Sequence, residues 1–152
     1  MRLREIREKN GFTQFTISKL MGVSRGTYAV WEVGIDLIPI KRLNDFCNIC
    51  NVSIDYALNF TETPQYLKVY KRINPQKSGE RLKEIRKENR KTQEYISKKL
   101  NINRSLLSKY EKGHTLISTT FLIEYIKLFS ISGDYLLGKI NDKITLKELV
   151  TN

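Results

Sequence analysis

The chain says nearly the same thing twice, at a spacing of 79 residues. That shift places Arg2 on Arg81, Leu3 on Leu82, Ile6 on Ile85, Arg7 on Arg86, Thr13-Gln14 on Thr92-Gln93 and Ile17-Ser18 on Ile96-Ser97. The match runs on without a gap through Arg25 and Arg104, Glu32 and Glu111, and Gly34 and Gly113, to Asp55-Tyr56 and Asp134-Tyr135. A gapless repeat of this length means two copies of one folding unit. We place them at 1–60 and 79–139, with a connector over 61–78 and a tail over 140–152. Units of this size are small, yet within the range that closes a core of its own.

Within each unit the apolar residues recur at three and four, and no stretch alternates as a strand does. The spacing predicts helices over Arg2 to Asn10, Thr13 to Met21, Ser24 to Val33, Ile40 to Asn51 and Ser53 to Asn59. The second unit repeats them over Gly79 to Asn89, Thr92 to Leu100, Asn103 to Lys112, Ser118 to Phe129 and Ser132 to Leu137. Thr13 and Ser24 are N-cap residues, Asn103 takes the place of Ser24, and Gly22 and Gly34 fall where the chain leaves a helix. The fold class is therefore all-α. In the connector, Thr63-Pro64 reads as a cap followed by a first-turn proline, and Tyr66, Leu67, Tyr70 and Ile73 recur at helical spacing. This predicts a sixth helix over 64–73, stopped by Asn74-Pro75, with residues 74–78 as loose chain. In the tail, Thr145 and Glu148 form a capping box for a last turn through Val150, placed to pack on the second unit or to join two copies of the chain.

A formal charge of +11 asks for a polyanionic partner. Nucleic acid fits better than a membrane surface, because the basic residues are not gathered on one helix with bulky apolar anchors and no run of about 18 apolar residues exists to span a bilayer. The opening MRLREIREKN has no apolar signal region, so a cytoplasmic protein is expected. Cys47 and Cys50 form a CxxC, but the repeat aligns them with Ile126 and Phe129, which makes them core positions rather than metal ligands. One histidine, His114, cannot anchor a Ser/His/Asp or Cys/His set, and no glycine-rich phosphate loop occurs. Neither an enzyme nor a cofactor or metal is expected.

The stretch Asn103 to Lys112 carries the functional signal. Leu106, Leu107 and Tyr110 fall on one side at helical period, which leaves Arg104, Ser105, Ser108, Lys109 and Lys112 on the other. An apolar back and a short, basic front, preceded by a second helix, suit insertion into a DNA major groove. Both units resemble the helix-turn-helix domain of phage repressors, Cro proteins and the xenobiotic-response-element regulators. The resemblance is carried by RLREIREKNGFTQ, MGVSRGTYAVWEVG and SIDYALNF in the first copy, and by RLKEIRKENRKTQ, LNINRSLLSKYEKG and SGDYLLGK in the second. It implies two lambda-repressor-like five-helix domains in tandem joined by a short helical linker, double-stranded DNA as partner, and transcriptional regulation, as a repressor before an activator.

The resemblance also implies residue roles. Gln14 and Gln93 open the second helix of each unit, where an amide suits a phosphate oxygen, with Thr13, Lys91 and Thr92 beside them. Arg25 and Arg104 start the third helix, where the family reads bases, and arginine matches O6 and N7 of guanine. Ser105, Ser108 and Lys109 complete a polar reading face, and Lys112 and His114 reach the backbone beside the groove. Glu32 and Glu111 are expected to pair with Arg7 and Arg86. Trp31 aligns with Tyr110 and Tyr28 with Leu107, so these aromatics pack rather than stack on bases.

The copies are unequal. Where the second has Ser105, Ser108, Lys109, Lys112 and His114, the first has Gly26, Ala29, Val30, Val33 and Ile35, which touch thymine methyl groups but donate nothing from side chains. With Arg25 and Thr27 they would read a looser, AT-rich half-site. Residues 1–60 hold eight Lys/Arg against six Asp/Glu, and 79–152 hold fifteen against nine, so the second unit carries most of the field. The tandem would thus act as a built-in dimer in which the second unit dominates. The alternative is a protein-binding adaptor or antitoxin-like partner that uses the apolar face of the first unit, with a second copy of the chain or another protein as its partner.

Overall fold

The computed structural model describes residues 1–146. The first unit holds α1 (Leu3–Lys9), α2 (Gln14–Met21), α3 (Arg25–Val33), α4 (Ile40–Cys50) and α5 (Ile54–Ala57). The second repeats the order as α6 (Pro75–Glu88), α7 (Gln93–Lys99), α8 (Arg104–Glu111), α9 (Thr119–Phe129) and α10 (Gly133–Leu136). The all-α architecture, with five helices per unit in the expected places, is what the spacing called for.

Local chemistry starts and stops these helices. Thr13, Ser24, Thr92 and Asn103 each accept the backbone N–H three residues on, at 3.1, 3.1, 3.0 and 2.7 Å. A cap of this kind is worth about 1 kcal/mol. Gly22 and Gly34 end α2 and α3 at φ of 71° and 83°, a left-handed turn that most side chains resist. The apolar faces then close one core cluster that runs through both units: Leu3, Ile6, Ile17, Tyr28, Leu43 and Phe46 from the first, and Leu82, Ile85, Ile96, Leu107, Leu122 and Tyr125 from the second, all buried. Cys47 and Cys50 belong to it, as their alignment with apolar residues indicated.

The expected helix over 64–73 is not formed. Its backbone groups bond outward instead of to each other. Pro64 O accepts from Ser53 N at 2.7 Å, and Lys71 O accepts from the side-chain amides of Asn44 and Asn48 at 3.0 and 2.8 Å. On the other side, Tyr70 N and Asn74 N donate to Lys139 O and Leu137 O at 2.7 and 3.0 Å. The connector is an irregular strap tied to both units. Asn74-Pro75 starts a helix rather than stopping one, since the Asn74 side chain accepts from Lys77 N at 3.0 Å and Pro75 sits where a missing N–H is harmless. Residues 75–78, expected as loose chain, are the first turn of α6.

Gly79 shows why that turn lies where it does. A Cβ there would stand 2.5 Å from Glu111 O and 2.7 Å from Tyr110 O, so α6 crosses the end of α8 backbone against backbone. In the tail, Thr145 forms an antiparallel bridge with Ile131, with Ser132 N and Leu146 N donating to Ile144 O and Ser130 O at 2.8 Å. The tail therefore packs on the second unit up to Leu146. The expected capping by Glu148 and the turn through Val150 lie outside the described residues.

The units also meet each other, through equivalent residues. Asp134 accepts from Ile54 N and Asp55 N at 3.0 and 2.8 Å, so it caps α5. In return Asp55 accepts from Gly133 N at 2.6 Å and from the Ser132 hydroxyl, at the start of α10. Both aspartates are wholly buried. Farther along the joint, residues 37–41 face their repeat equivalents 116–120 across a groove of about 500 Å³, and the Thr119 hydroxyl donates to Ile38 O at 2.6 Å.

Candidate nucleic-acid interface

In each unit one ion pair ties the first helix, and the loop that follows it, to the end of the third helix. Arg86, on α6, gives Nε and Nη2 to the two carboxylate oxygens of Glu111, at the end of α8, at 2.7 and 3.0 Å, and Nη1 to Lys91 O at 2.9 Å. The first unit repeats this atom for atom, with Arg7 on Glu32 at 2.9 and 2.8 Å and on Phe12 O at 2.8 Å. The pairing implied by the resemblance is present in both copies. It is a planar, bidentate, mostly buried bridge, which fixes the angle between helices more than it adds net stability. The hydrogen bond that Arg7 donates to Glu32 raises the Arg7 pKa, and Glu111 does the same for Arg86. Burial alone would raise Glu32, but hydrogen bonds from Arg7 and Gln14, together with the Arg7 charge, outweigh it and hold the carboxyl below its ordinary range.

The glutamines stand differently from the expected outward-facing phosphate ligands. Gln93 Nε2 donates inward to Glu111 at 3.1 Å, while its Oε1 accepts from Arg104 Nε at 3.5 Å. In the first unit Gln14 Nε2 reaches Glu32 at 3.4 Å. The ion pair therefore continues through Gln93 to Arg104, a chain that links α6, the end of α8, α7 and the start of α8. Sequence spacing could not reveal it, because the four residues lie far apart along the chain.

Around that chain lies the second unit's outer face. Thr92, Arg104, Ser105, Lys109, Lys112 and His114 are exposed, and Lys91, Gln93 and Ser108 are half-buried. Lys91 Nζ rests 4.4 Å from the centre of the Tyr95 ring. Leu107 and Tyr110 are buried beneath them, so the division of α8 into an apolar back and a basic front holds. In the first unit Thr13, Arg25, Gly26 and Thr27 are exposed, and Gln14, Ala29 and Val30 are half-buried. Val33 and Ile35 stand out into solvent at 70% and 75% exposure. Tyr28 is buried and Trp31 packs edge-on against it, so these two aromatics belong with the core, while Phe15 on α2 is exposed.

Two helices joined by a tight turn, the second clamped at its end by an Arg–Glu bridge, define a helix-turn-helix protein, here twice over, with a polar outer face in the second unit. The helix-turn-helix family model matches residues 3–56 and again residues 82–136. The chain belongs to that family. It is similar to the HTH-type transcriptional regulator ImmR of Bacillus subtilis (strain 168), with 41% identity over 69 residues that make up 45% of this chain and 53% of that protein. It also resembles the uncharacterized HTH-type transcriptional regulator YobD of the same organism, 27% identical over 63 residues, 41% of this chain and 56% of the other. The chain thus spans about half the length of the curated relatives it matches. No solved structure matches it. Among the described residues, no helix is long and apolar enough to cross a membrane.

Proposed function

We propose that the chain is a sequence-specific regulator of transcription, a repressor, that binds duplex DNA with both units as an intramolecular pseudo-dimer. The observation that carries this reading is the coupling of Arg104 to the buried Arg86–Glu111 bridge through Gln93. It ties an arginine, a side chain suited to O6 and N7 of guanine, to the bridge at the start of an exposed basic helix. Ser105, Ser108 and Lys109 extend the reading face, while Lys91, Thr92, Lys112 and His114 flank it where phosphates pass.

The built-in dimer is supported by the reciprocity of the joint. Reciprocal capping by equivalent residues is what an approximate two-fold relation between the copies produces, and paired helix-turn-helix units that engage two half-sites about one helical turn apart are related by such an axis. The second unit dominates, having the polar face and most of the charge. The first, with Arg25, Thr27, Ala29 and Val30, reads a looser half-site containing thymine.

An adaptor role remains the second reading, favoured by the exposed Val33 and Ile35. Selection of bound sites from random duplex DNA by the whole chain separates the two. The DNA reading expects enrichment of a defined sequence, whereas recovery of unenriched DNA would leave the adaptor.

A further inference from the structure

Two binding units in one chain can be coupled loosely or rigidly, and the difference is visible in what DNA they accept. A flexible linker lets the units find half-sites over a range of separations, while a packed joint allows one. Here the strap is pinned at both ends of its second half, by Asn44 and Asn48 of the first unit and by Leu137 and Lys139 of the second. Yet its solvent side is open, with Leu67 fully exposed. The strap follows the joint rather than defining it.

The joint itself is built to be intolerant of slippage. Asp55 and Asp134 are both fully buried, and each has its oxygens filled by donors fixed at the start of the other unit's last helix. A buried carboxylate that loses such donors is expensive, so a shifted or rotated arrangement of the units would be penalised at both residues at once. Gly133 tightens the fit, since a Cβ there would stand 3.2 Å from Asp55 Oδ1 and 2.8 Å from Ile126 Cδ1. The strap's Tyr66 adds a third donor to Asp55 at 2.7 Å, and Lys139, wholly buried, reaches Asn48 Oδ1 across the joint at 3.3 Å. Thr119 pins the far end to Ile38.

We propose that Asp55 and Asp134 are specificity determinants for half-site spacing: their exchange, and not the length of the strap, sets the separation and angle of α3 and α8. The inference rests on the reading that both units engage duplex DNA. One inserted base pair moves a half-site by about 3.4 Å and turns it by about 35°, which a rigid pair of reading helices cannot follow.

The test is a series of duplexes carrying the selected half-sites with base pairs added or removed between them, titrated with the full chain and footprinted. Wild type should show one preferred spacing. Affinity should fall about a hundredfold beside it, the size of the avidity lost when only one half-site is held. Lengthening the strap by about four glycines after Leu67 should leave that preference unchanged. The double variant Asp55→Asn, Asp134→Asn should flatten it to less than about tenfold while binding a single half-site as wild type does. Footprints over two half-sites at every spacing with equal affinity would overturn the inference alone, as would a preference that moves with strap length. A footprint over one half-site at all spacings would instead remove the two-reader reading beneath it. If the double variant fails to fold, Ser132→Ala, which removes one donor to Asp55 and keeps both carboxylates, should weaken the preference in the same direction, and an unchanged preference in a folded variant would overturn the inference.

Discussion

Asp55 and Asp134 stand at equivalent positions of the two units, and each caps the helix that carries the other. Two carboxylates therefore lie close together, out of water, at the centre of the joint. Burial, with Asp55 alongside, holds the Asp134 carboxyl well above its usual range, against the opposing pull of Lys139. Burial in turn lowers the pKa of Lys139, which faces Asp134 and Cys47.

The sign of the resulting pH dependence follows. A carboxyl whose folded pKa is raised favours folding while it keeps its proton, so its contribution is complete below the ordinary carboxylate range and is lost as pH rises through the folded value. Denaturant midpoints should therefore decline as pH rises above the ordinary carboxylate range, with a shallower decline in Asp134→Asn. The same slope in both proteins would show that another group titrates. Glu32 acts in the opposite sense: its depressed pKa gives stability that is present above the ordinary carboxylate range and lost on acidification below it.

Glycine substitutions should separate a crossing from an open face. Gly79→Ala would drive a methyl into the Glu111 and Tyr110 carbonyls and the Gly113 amide, all backbone, and should destabilise the protein by about 2 kcal/mol or more. Gly26→Ala, in α3 with open space around it, should stabilise by about 0.5 kcal/mol through helix propensity. Thermal melts compare the two directly. Equal effects would mean that α6 does not cross α8 as described.

Ion pairs of similar appearance should differ in consequence. Glu111→Ala leaves Arg86 buried without its partner, a loss of about 3 kcal/mol, while removing Glu94 from its exposed pair with Lys98 should change stability by less than about 0.5 kcal/mol. A denaturation series on the two variants reads both values. A small change in Glu111→Ala would mean that the bridge is not a brace.

Much of this fold was legible from the repeat alone, because a helical period seen twice at one spacing confirms itself. The buried cysteines were reachable by the same route, and the Arg–Glu bridges through the family resemblance, with both partners present in each copy. The strap was not, since Tyr66, Leu67, Tyr70 and Ile73 fit a helix as well as an irregular segment, and only tertiary partners for its backbone decide between them. Asn74-Pro75 was ambiguous for a related reason: an asparagine followed by proline both ends one helix and caps the next. The joint left one trace, an aspartate two residues after a serine in each copy, amid apolar neighbours. Its meaning depends on the other copy being opposite, which no local pattern states.

On DNA, Arg104→Ala should cost about 1 to 3 kcal/mol and relax preference at one base pair. Because Gln93 accepts from Arg104, Gln93→Ala should also lower that preference instead of weakening all sequences alike. Binding of the variants to the selected site and to its single-base changes distinguishes these outcomes. If Gln93→Ala weakened specific and random DNA by the same factor, its contact with Arg104 would carry no specificity.

Salt should weaken the complex steeply, with a log-log slope near about −5 if about six phosphates are engaged. A flat response in titrations across salt concentrations would favour the adaptor reading.

The central claim is that both units read DNA, and it is tested most directly by footprinting the full chain on its selected site alongside Arg25→Ala and Arg104→Ala. The account predicts protection of two unlike half-sites about 10 base pairs apart, with Arg104→Ala relaxing the strictly specified one and Arg25→Ala the looser, thymine-containing one. Protection of a single half-site, abolished by Arg104→Ala and untouched by Arg25→Ala, would contradict it.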